Sequence, residues 1–189
     1  MRGSYTAHAA PAWCWLVRGR AAGQLVSSCR AYGESVDEPM WRQVNVKAKG
    51  KGMKTVIKAD KHEMTLDEPK SVGGTDEGPS PFHAVLGALA GCEQATVHYL
   101  IKNKTCKLDI EKIYFDVEGS YDARGIMGIG NITPGFQKVK LIARLKTSAS
   151  QAEIDALARK VQQHNPVAAL FMSAGVPLEM EWKKLEKEE

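Results

Sequence analysis

The sequence has no apolar run long enough to cross a membrane and no cysteine pair with metal-binding spacing. A membrane-spanning helix needs about 20 predominantly apolar residues in succession, so we expect no membrane partner. The four cysteines, at positions 14, 29, 92 and 106, contain no Cys-x-x-Cys pair. This excludes a disulfide-rich secreted scaffold and gives no reason to expect a metal or a cofactor, although a single disulfide between Cys92 and Cys106 is compatible with the sequence.

Acidic residues are absent from the first 33 positions, in which Arg2, Arg18, Arg20 and Arg30 are the only charged residues. The whole chain has a formal net charge of +4. Without these four arginines, the chain has 22 basic and 22 acidic residues. A nucleic-acid-binding domain usually carries clustered positive charge, so the neutral body of the chain predicts no nucleic-acid partner.

Residues 1–33 have the composition of a cleavable targeting leader. They contain arginine, serine and alanine, and the segment WCWLVRGRAAGQLVSSCRAY can form the amphipathic helix that is typical of mitochondrial presequences. The triplet Arg-Ala-Tyr before Gly33 also resembles a mitochondrial processing site. Chloroplast transit peptides share this composition, and a chain that is not imported would be cytoplasmic. We therefore predict a leader over residues 1–33, a single domain over residues 34–189 and a mitochondrial location.

The central feature of the domain is a predicted helix over residues 80–100. Ser80 is followed by proline, a combination that is typical of a helix start. The residues before Cys92 are apolar in nearly every direction around the axis, which predicts a helix buried on all sides. Gly87 and Gly91 lie four residues apart on one face and lower helix stability, so we expect another backbone to pack closely against them.

Alternating apolar residues predict strands on both sides of this helix. A capping box formed by Ser150 and Glu153 starts a second helix, which ends at His164 because a proline follows the next residue. The predicted order is a hairpin (42–48 and 53–59), a short strand (62–66), the helix, a long hairpin (110–118 and 136–145), the second helix, a helical turn (167–172) and a last strand (176–182). Because helices and strands are segregated along the chain, we predict an α+β fold.

The segment SVGGTDEGPS, residues 71–80, is a glycine-rich loop that leads into the central helix. Such loops can bind phosphate at a helix N-terminus. The GxxxxGK[ST] pattern is missing, however, and the carboxylates of Asp76 and Glu77 would repel an anion. We therefore interpret this loop as a tight connector.

The combined segment DEPKSVGGTDEGPSPFHAVLGALAGCEQATVHYL resembles the OsmC/Ohr family, which comprises osmotically inducible protein C and the organic hydroperoxide resistance proteins. The later segment SASQAEIDALARKVQQHNPVAALFMSAGVPLEMEW is similar to the second helix and the final strand of that family. The resemblance covers roughly residues 41–183. It implies an intertwined homodimer in which two central helices are wrapped by antiparallel sheets, with active sites at the subunit interface that reduce organic hydroperoxides through cysteine thiols.

The resemblance also assigns residues to a site. Cys92 occupies the position of the peroxidatic cysteine, and Asn165 replaces the resolving cysteine. Phe82 stands where many hydroperoxide-resistance members have a glutamate. The arginine that activates the thiolate in the family corresponds either to Arg42, in the N-terminal strand region, or to Arg124, on the loop of the long hairpin.

Two functions follow from this assignment. The first is a peroxidase with one cysteine, in which the Cys92 thiolate attacks an organic hydroperoxide and an external thiol reductant restores the enzyme. Thr96 shares the helix face of Cys92 and is a predicted binding residue together with Phe82 and Asn165. The second is a catalytically degenerate dimer that binds an apolar small molecule or senses oxidants without turnover. Without the resemblance, a lone cysteine in an apolar helix is typical of a core residue.

Overall fold

The computed structural model describes residues 39–186, so the predicted leader and its boundary with the domain lie outside the described residues. The chain divides into two units, Met1–Val44 and Asn45–Glu189. The described part of the first unit, residues 39–44, contains no helix or strand. All the helices and strands described below belong to the second unit.

The first sheet consists of strands β1 (Lys47–Lys51), β2 (Lys54–Ala59) and β3 (His62–Leu66), in that order and all antiparallel. The predicted strand over residues 42–48 is wrong in its start, because residues 42–46 form no strand. Lys47 pairs with Lys58, and the chain reverses direction at Asp60. Only Ala59 of β2 lies beyond this pair, so β2 is too short to extend the ladder far past Lys47, whatever the alternating pattern before it.

The loop between β3 and the central helix is organised around the carboxylate of Asp67. Oδ2 of Asp67 accepts hydrogen bonds from the Thr75 hydroxyl at 2.5 Å, the Thr75 N–H at 3.0 Å and the Glu77 N–H at 3.2 Å. Oδ1 accepts from the Glu68 N–H at 2.8 Å. These hydrogen bonds lower the pKa of Asp67 to about 2, and the bond from the Thr75 hydroxyl has the largest effect. The Asp67 carboxylate thus occupies hydrogen-bond donors of the loop, which agrees with the interpretation of this loop as a tight connector.

The central helix α1 (Pro81–Lys102) begins where the sequence predicts, with Ser80 as its N-cap. A long antiparallel hairpin follows, made of β4 (Ile110–Tyr121) and β5 (Phe136–Thr147), and its loop contains the short helix α2 (Ala123–Ile126). Helices α3 (Gln151–His164) and α4 (Pro166–Ser173) then lead to β6 (Leu178–Lys184). The predicted α+β class is confirmed, and so is the capping box at the start of α3.

The second sheet has the order β4-β5-β6 and is mixed in direction. Strand β6 runs parallel to β5, with Val139 opposite Leu178 and Leu145 opposite Lys184. This departs from the expectation of antiparallel sheets alone. The reason is the connection between β5 and β6, because α3 and α4 return the chain to the starting end of β5 before β6 begins.

The core lies between the second sheet and one face each of α1 and α3. Helix α1 contacts β4, α3 and α4, whereas α3 contacts β6. The fully or nearly fully buried apolar residues come from α1 (Leu89, Val97, Leu100), β5 (Val139, Leu141, Ala143, Leu145), α3 (Ile154, Leu157, Val161), α4 (Ala168, Phe171) and β6 (Trp182).

The loop before α1 depends on a glycine that contacts backbone. A Cβ at position 74 would lie 1.7 Å from the carbonyl oxygen of Glu68. We expect Gly74→Ala to lower the free energy of unfolding by about 2–3 kcal/mol, because the backbone of the loop must move. Thermal unfolding measures the effect. Gly135→Ala is the matched control, since a Cβ there would have nothing within 4 Å; equal stability of both variants would contradict the prediction.

Candidate functional site

Helix α1 has one buried and one open apolar face within the chain. Val85 and Tyr99 are 44% and 65% exposed, so the expectation of a helix buried on all sides is wrong for the single chain. Hydrophobic periodicity does not distinguish a core face from an apolar face that this chain leaves uncovered. The open face, which we call the open stripe, comprises Val85, Ala88, Cys92, Ala95 and Tyr99, spaced three or four residues apart.

The thiol of Cys92 lies half-buried on the open stripe. Cys92 and Cys106 are both free, so the disulfide that the sequence allowed is not formed. The N–H of Cys106 bonds to the carbonyl oxygen of Leu100 at 3.3 Å, beside the C-terminal end of α1. Because Leu100 lies about 12 Å along the helix axis from Cys92, a disulfide with Cys106 would require backbone movement.

Glu93, directly after Cys92, points into the core and is 0% exposed. Its Oε1 accepts a hydrogen bond from Nδ2 of Asn165 at 2.7 Å. Its Oε2 is also buried and has no hydrogen-bond partner in the described part of the chain. Burial, opposed by the Asn165 hydrogen bond, raises the pKa of Glu93 to about 7.

Sequence reasoning did not identify Glu93 as a site residue. The available signal was its spacing, since Glu93 lies four residues after Leu89 and four before Val97, both fully buried. A carboxylate at a core position of this kind needs a partner, and the partner comes from a distant segment that the sequence does not connect to it.

Asn165 links α1 to the start of α4. While its amide nitrogen donates to Glu93, its Oδ1 accepts hydrogen bonds from the N–H groups of Val167 at 2.9 Å and Ala168 at 3.0 Å. It is therefore the N-cap of α4, and it is 2% exposed. The sequence predicts that Asn165, at the position of the missing resolving cysteine, is a binding residue. In the structure, Asn165 caps α4 and bridges it to α1.

Phe82 lies at the other end of α1, in an aromatic cluster. Its ring stacks on Tyr121 with centroids 4.3 Å apart and meets the edge of Phe136 at 5.0 Å. A shallow groove of about 390 Å³ adjoins the cluster and includes Tyr121 in its lining. Because Phe82 precedes Cys92 by about 15 Å along the helix axis, the chain does not bring these two predicted residues together. Thr96 is buried, 7% exposed, one turn after Cys92.

Arg124, one of the two candidate arginines, has no described contact with Cys92. Arg124 is exposed and pairs with Asp122, whose Oδ2 lies 2.6 Å from Nη2 of Arg124, and this pairing lowers the pKa of Asp122. Arg42 belongs to the first unit of the chain, where its Nη1 donates to the carbonyl oxygen of Trp41 at 3.3 Å. Activation of the thiolate by either arginine stays a prediction.

Residues 39–186 contain no group of three or more His, Cys, Asp or Glu side chains arranged to hold a metal ion. Within the same range, no helix combines the length and the apolar character needed to cross a bilayer.

Residues 74–181 match the sequence profile of the family described as OsmC-like protein. The chain is similar in structure to an OsmC like protein from Mycoplasma pneumoniae, with a TM-score of 0.66 and 21% identity over 78% of this chain and 100% of that one. An organic hydroperoxide resistance protein OsmC from Legionella pneumophila gives a TM-score of 0.57 and 19% identity over 78% and 98% of the two chains.

An organic hydroperoxide resistance protein from Elizabethkingia anophelis gives a TM-score of 0.59 and 18% identity over 79% of this chain and 100% of that one. No curated protein sequence matches the chain. At these identities the likeness establishes the fold, and the profile match establishes the family.

The environment of Glu93 predicts a pH-dependent stability. The folded chain holds the Glu93 proton up to about pH 7, whereas the unfolded chain releases it near its ordinary pKa of 4.5. Between these two pH values, the folded state therefore binds more protons than the unfolded state. Raising the pH through this window lowers the free energy of unfolding by about 3 kcal/mol, and the loss is complete above it.

Glu93→Gln keeps the side-chain shape without the titrating proton, so its free energy of unfolding should lack this decline between pH 5 and 8. Chemical denaturation at fixed protein concentration measures both proteins. Glu118→Gln, at an exposed position of β4, is the matched control and should keep the decline. An identical pH slope in the wild type and Glu93→Gln would contradict the prediction.

Proposed function

The chain belongs to the OsmC-like protein family, and from this membership we propose that it is a thiol-dependent peroxidase that reduces organic hydroperoxides through Cys92. The observation that carries the proposal is the free, half-buried thiol on the open stripe of α1. Two similar structures, from Legionella pneumophila and Elizabethkingia anophelis, are organic hydroperoxide resistance proteins by name. The matched family range includes Cys92.

In the proposed reaction, the Cys92 thiolate attacks the distal oxygen of the hydroperoxide. The O–O bond breaks, the sulfur becomes a sulfenic acid, and the alkoxide leaves and takes a proton to form an alcohol. A resolving cysteine is not available at position 165, and Cys106 lies beside the far end of α1. An external thiol therefore condenses with the sulfenic acid to give a mixed disulfide and water, and a second thiol releases Cys92.

We propose further that the protein acts as a homodimer and that the open stripe packs against a second copy. A Cβ at Gly87 or Gly91 would have nothing within 4 Å in this chain, which leaves room for a close backbone. Met64 on β3 and Met53 in the turn before β2 are 47% and 49% exposed, so this part of the chain also offers apolar surface to a partner. An arginine, Arg42 or Arg124, would then approach Cys92 within the dimer and favour its thiolate.

A second candidate function has its own support. Phe82, Tyr121 and Phe136 form an aromatic cluster at the start of α1, where many hydroperoxide-resistance proteins carry a glutamate. Aromatic rings at this position favour contact with an apolar ligand over a polar reaction step. Together with the missing resolving cysteine, this supports a dimer that binds an apolar small molecule or senses oxidants without turnover.

Cys92→Ser separates these functions. With an alkyl hydroperoxide and a dithiol reductant, the peroxidase proposal predicts sustained peroxide consumption by the wild type and a loss of roughly a thousandfold or more in Cys92→Ser, because the nucleophile is gone. Peroxide loss over time and mass spectrometry of the Cys92 peptide give the measurement. Cys106→Ser is the matched control and should retain the wild-type rate.

One equivalent of sulfenic acid without further consumption would support the sensor and contradict the peroxidase. If the Cys92 peptide shows no sulfenic acid at all, both redox functions are wrong.

Gly91→Leu tests the homodimer. Its side chain has free space in the single chain but would block a backbone from a second copy. We expect the molar mass in light scattering to fall from that of two chains to that of one, with retained helix content. Gly135→Leu, also at a position with free space, should stay dimeric; a dimeric Gly91→Leu protein would show that the second copy does not pack on this stripe.

A further inference from the structure

The two fully buried carboxyl groups of the described chain have opposite surroundings. Asp67 accepts hydrogen bonds from three backbone N–H groups and one hydroxyl, as an ionised carboxylate requires. Glu93 accepts one hydrogen bond, from the amide of Asn165, and its second oxygen has no described partner. A buried carboxyl with so few donors is more stable with its proton than without it.

The elements packed around Glu93 supply no cation. Helix α4 contains no titratable residue, and α3 turns Ile154, Leu157 and Val161 toward the core. The ammonium of Lys160 instead donates to the carbonyl oxygen of Thr105, and the ring of His164 bonds to the Lys160 carbonyl oxygen. Strand β4 contributes Ile113, Phe115 and Val117 to the core cluster.

On α1 itself, the nearest titratable group in sequence to Glu93 is Cys92. The two side chains point about 100° apart around the helix, one into the core and one onto the open stripe. Ionising both groups would place two negative charges on consecutive residues, one of them in the protein interior. Like charges on neighbouring residues oppose each other.

We propose that Glu93 is a positioning residue for Cys92: it holds the N-terminus of α4 against α1, and its charge, once the carboxyl ionises, opposes the Cys92 thiolate. The proposal rests on the proposed function in taking Cys92 as the reactive group. While Glu93 keeps its proton, it adds no charge beside the thiol. When Glu93 ionises as the pH rises, its negative charge disfavours the thiolate and lowers the reactivity of Cys92. Burial raises the pKa of Glu93 to about 7, so this charge appears near neutral pH.

Alkylation by iodoacetamide tests the proposal in the full-length protein. The thiolate displaces iodide and forms a carbon–sulfur bond, so the rate follows the ionised fraction of the thiol. Peptide mass spectrometry between pH 5 and 9 gives a separate rate profile for Cys92 and for Cys106. We expect the midpoint of the Cys92 profile to lie about one pH unit lower in Glu93→Gln than in the wild type, because a neutral amide replaces a titrating neighbour.

The controls separate charge from structure. Glu118→Gln, on the exposed side of β4, should leave the Cys92 midpoint unchanged, and the Cys106 profile should be the same in all proteins. Glu93→Met, neutral and of similar length, should lower the Cys92 midpoint as Glu93→Gln does, while near-ultraviolet circular dichroism verifies the fold of each variant.

Equal Cys92 midpoints in the wild type and Glu93→Gln would overturn the proposal. A lowered midpoint in Glu118→Gln as well would also overturn it, since the effect would then not be specific to position 93. Alkylation requires a thiolate but does not depend on peroxide reduction. The profiles therefore report on Glu93 even if the chain proves to lack peroxidase turnover, and the two proposals can fail independently.

Discussion

Helix α1 carries apolar residues on two faces, and a single chain covers one of them. The face with Leu89, Val97 and Leu100 packs on the second sheet and on α3, and this contact holds the core together. The other face, with Val85 and Tyr99, stays exposed. Cys92 lies on that second face. The same distribution of residues that builds the core therefore also leaves the thiol on a face that this chain does not cover.

The contact between Glu93 and Asn165 joins α1, which carries Cys92, to the start of α4. One end of the Asn165 amide caps α4 and the other bonds to the residue that follows Cys92. A cysteine at position 165 could make neither of these hydrogen bonds well, because a thiol is a weak donor and acceptor. Asn165 thus supplies a fixed polar link between α1 and α4.

Local chemistry made part of the fold predictable. Ser80 and the proline after it define the start of α1, and the pair Ser150 and Glu153 defines the start of α3, because capping depends on neighbouring residues alone. The start of β1 and the direction of β6 depend on which strand lies alongside, which a local pattern does not contain. In the site, Cys92 followed from the family resemblance, but the burial of Glu93 depends on a residue 72 positions away.

The parallel pairing of β6 also sets the order in which the chain can assemble. Strands β4 and β5 are joined by one loop and can pair as soon as both exist, whereas β6 finds its place only after α3 and α4 have formed the return path. Trp182, on β6, is 6% exposed and meets the ring of Phe115 at 6.4 Å. During synthesis, the hydrophobic centre therefore stays open to water until β6 has left the ribosome, and this period is when the nascent chain is most exposed to aggregation.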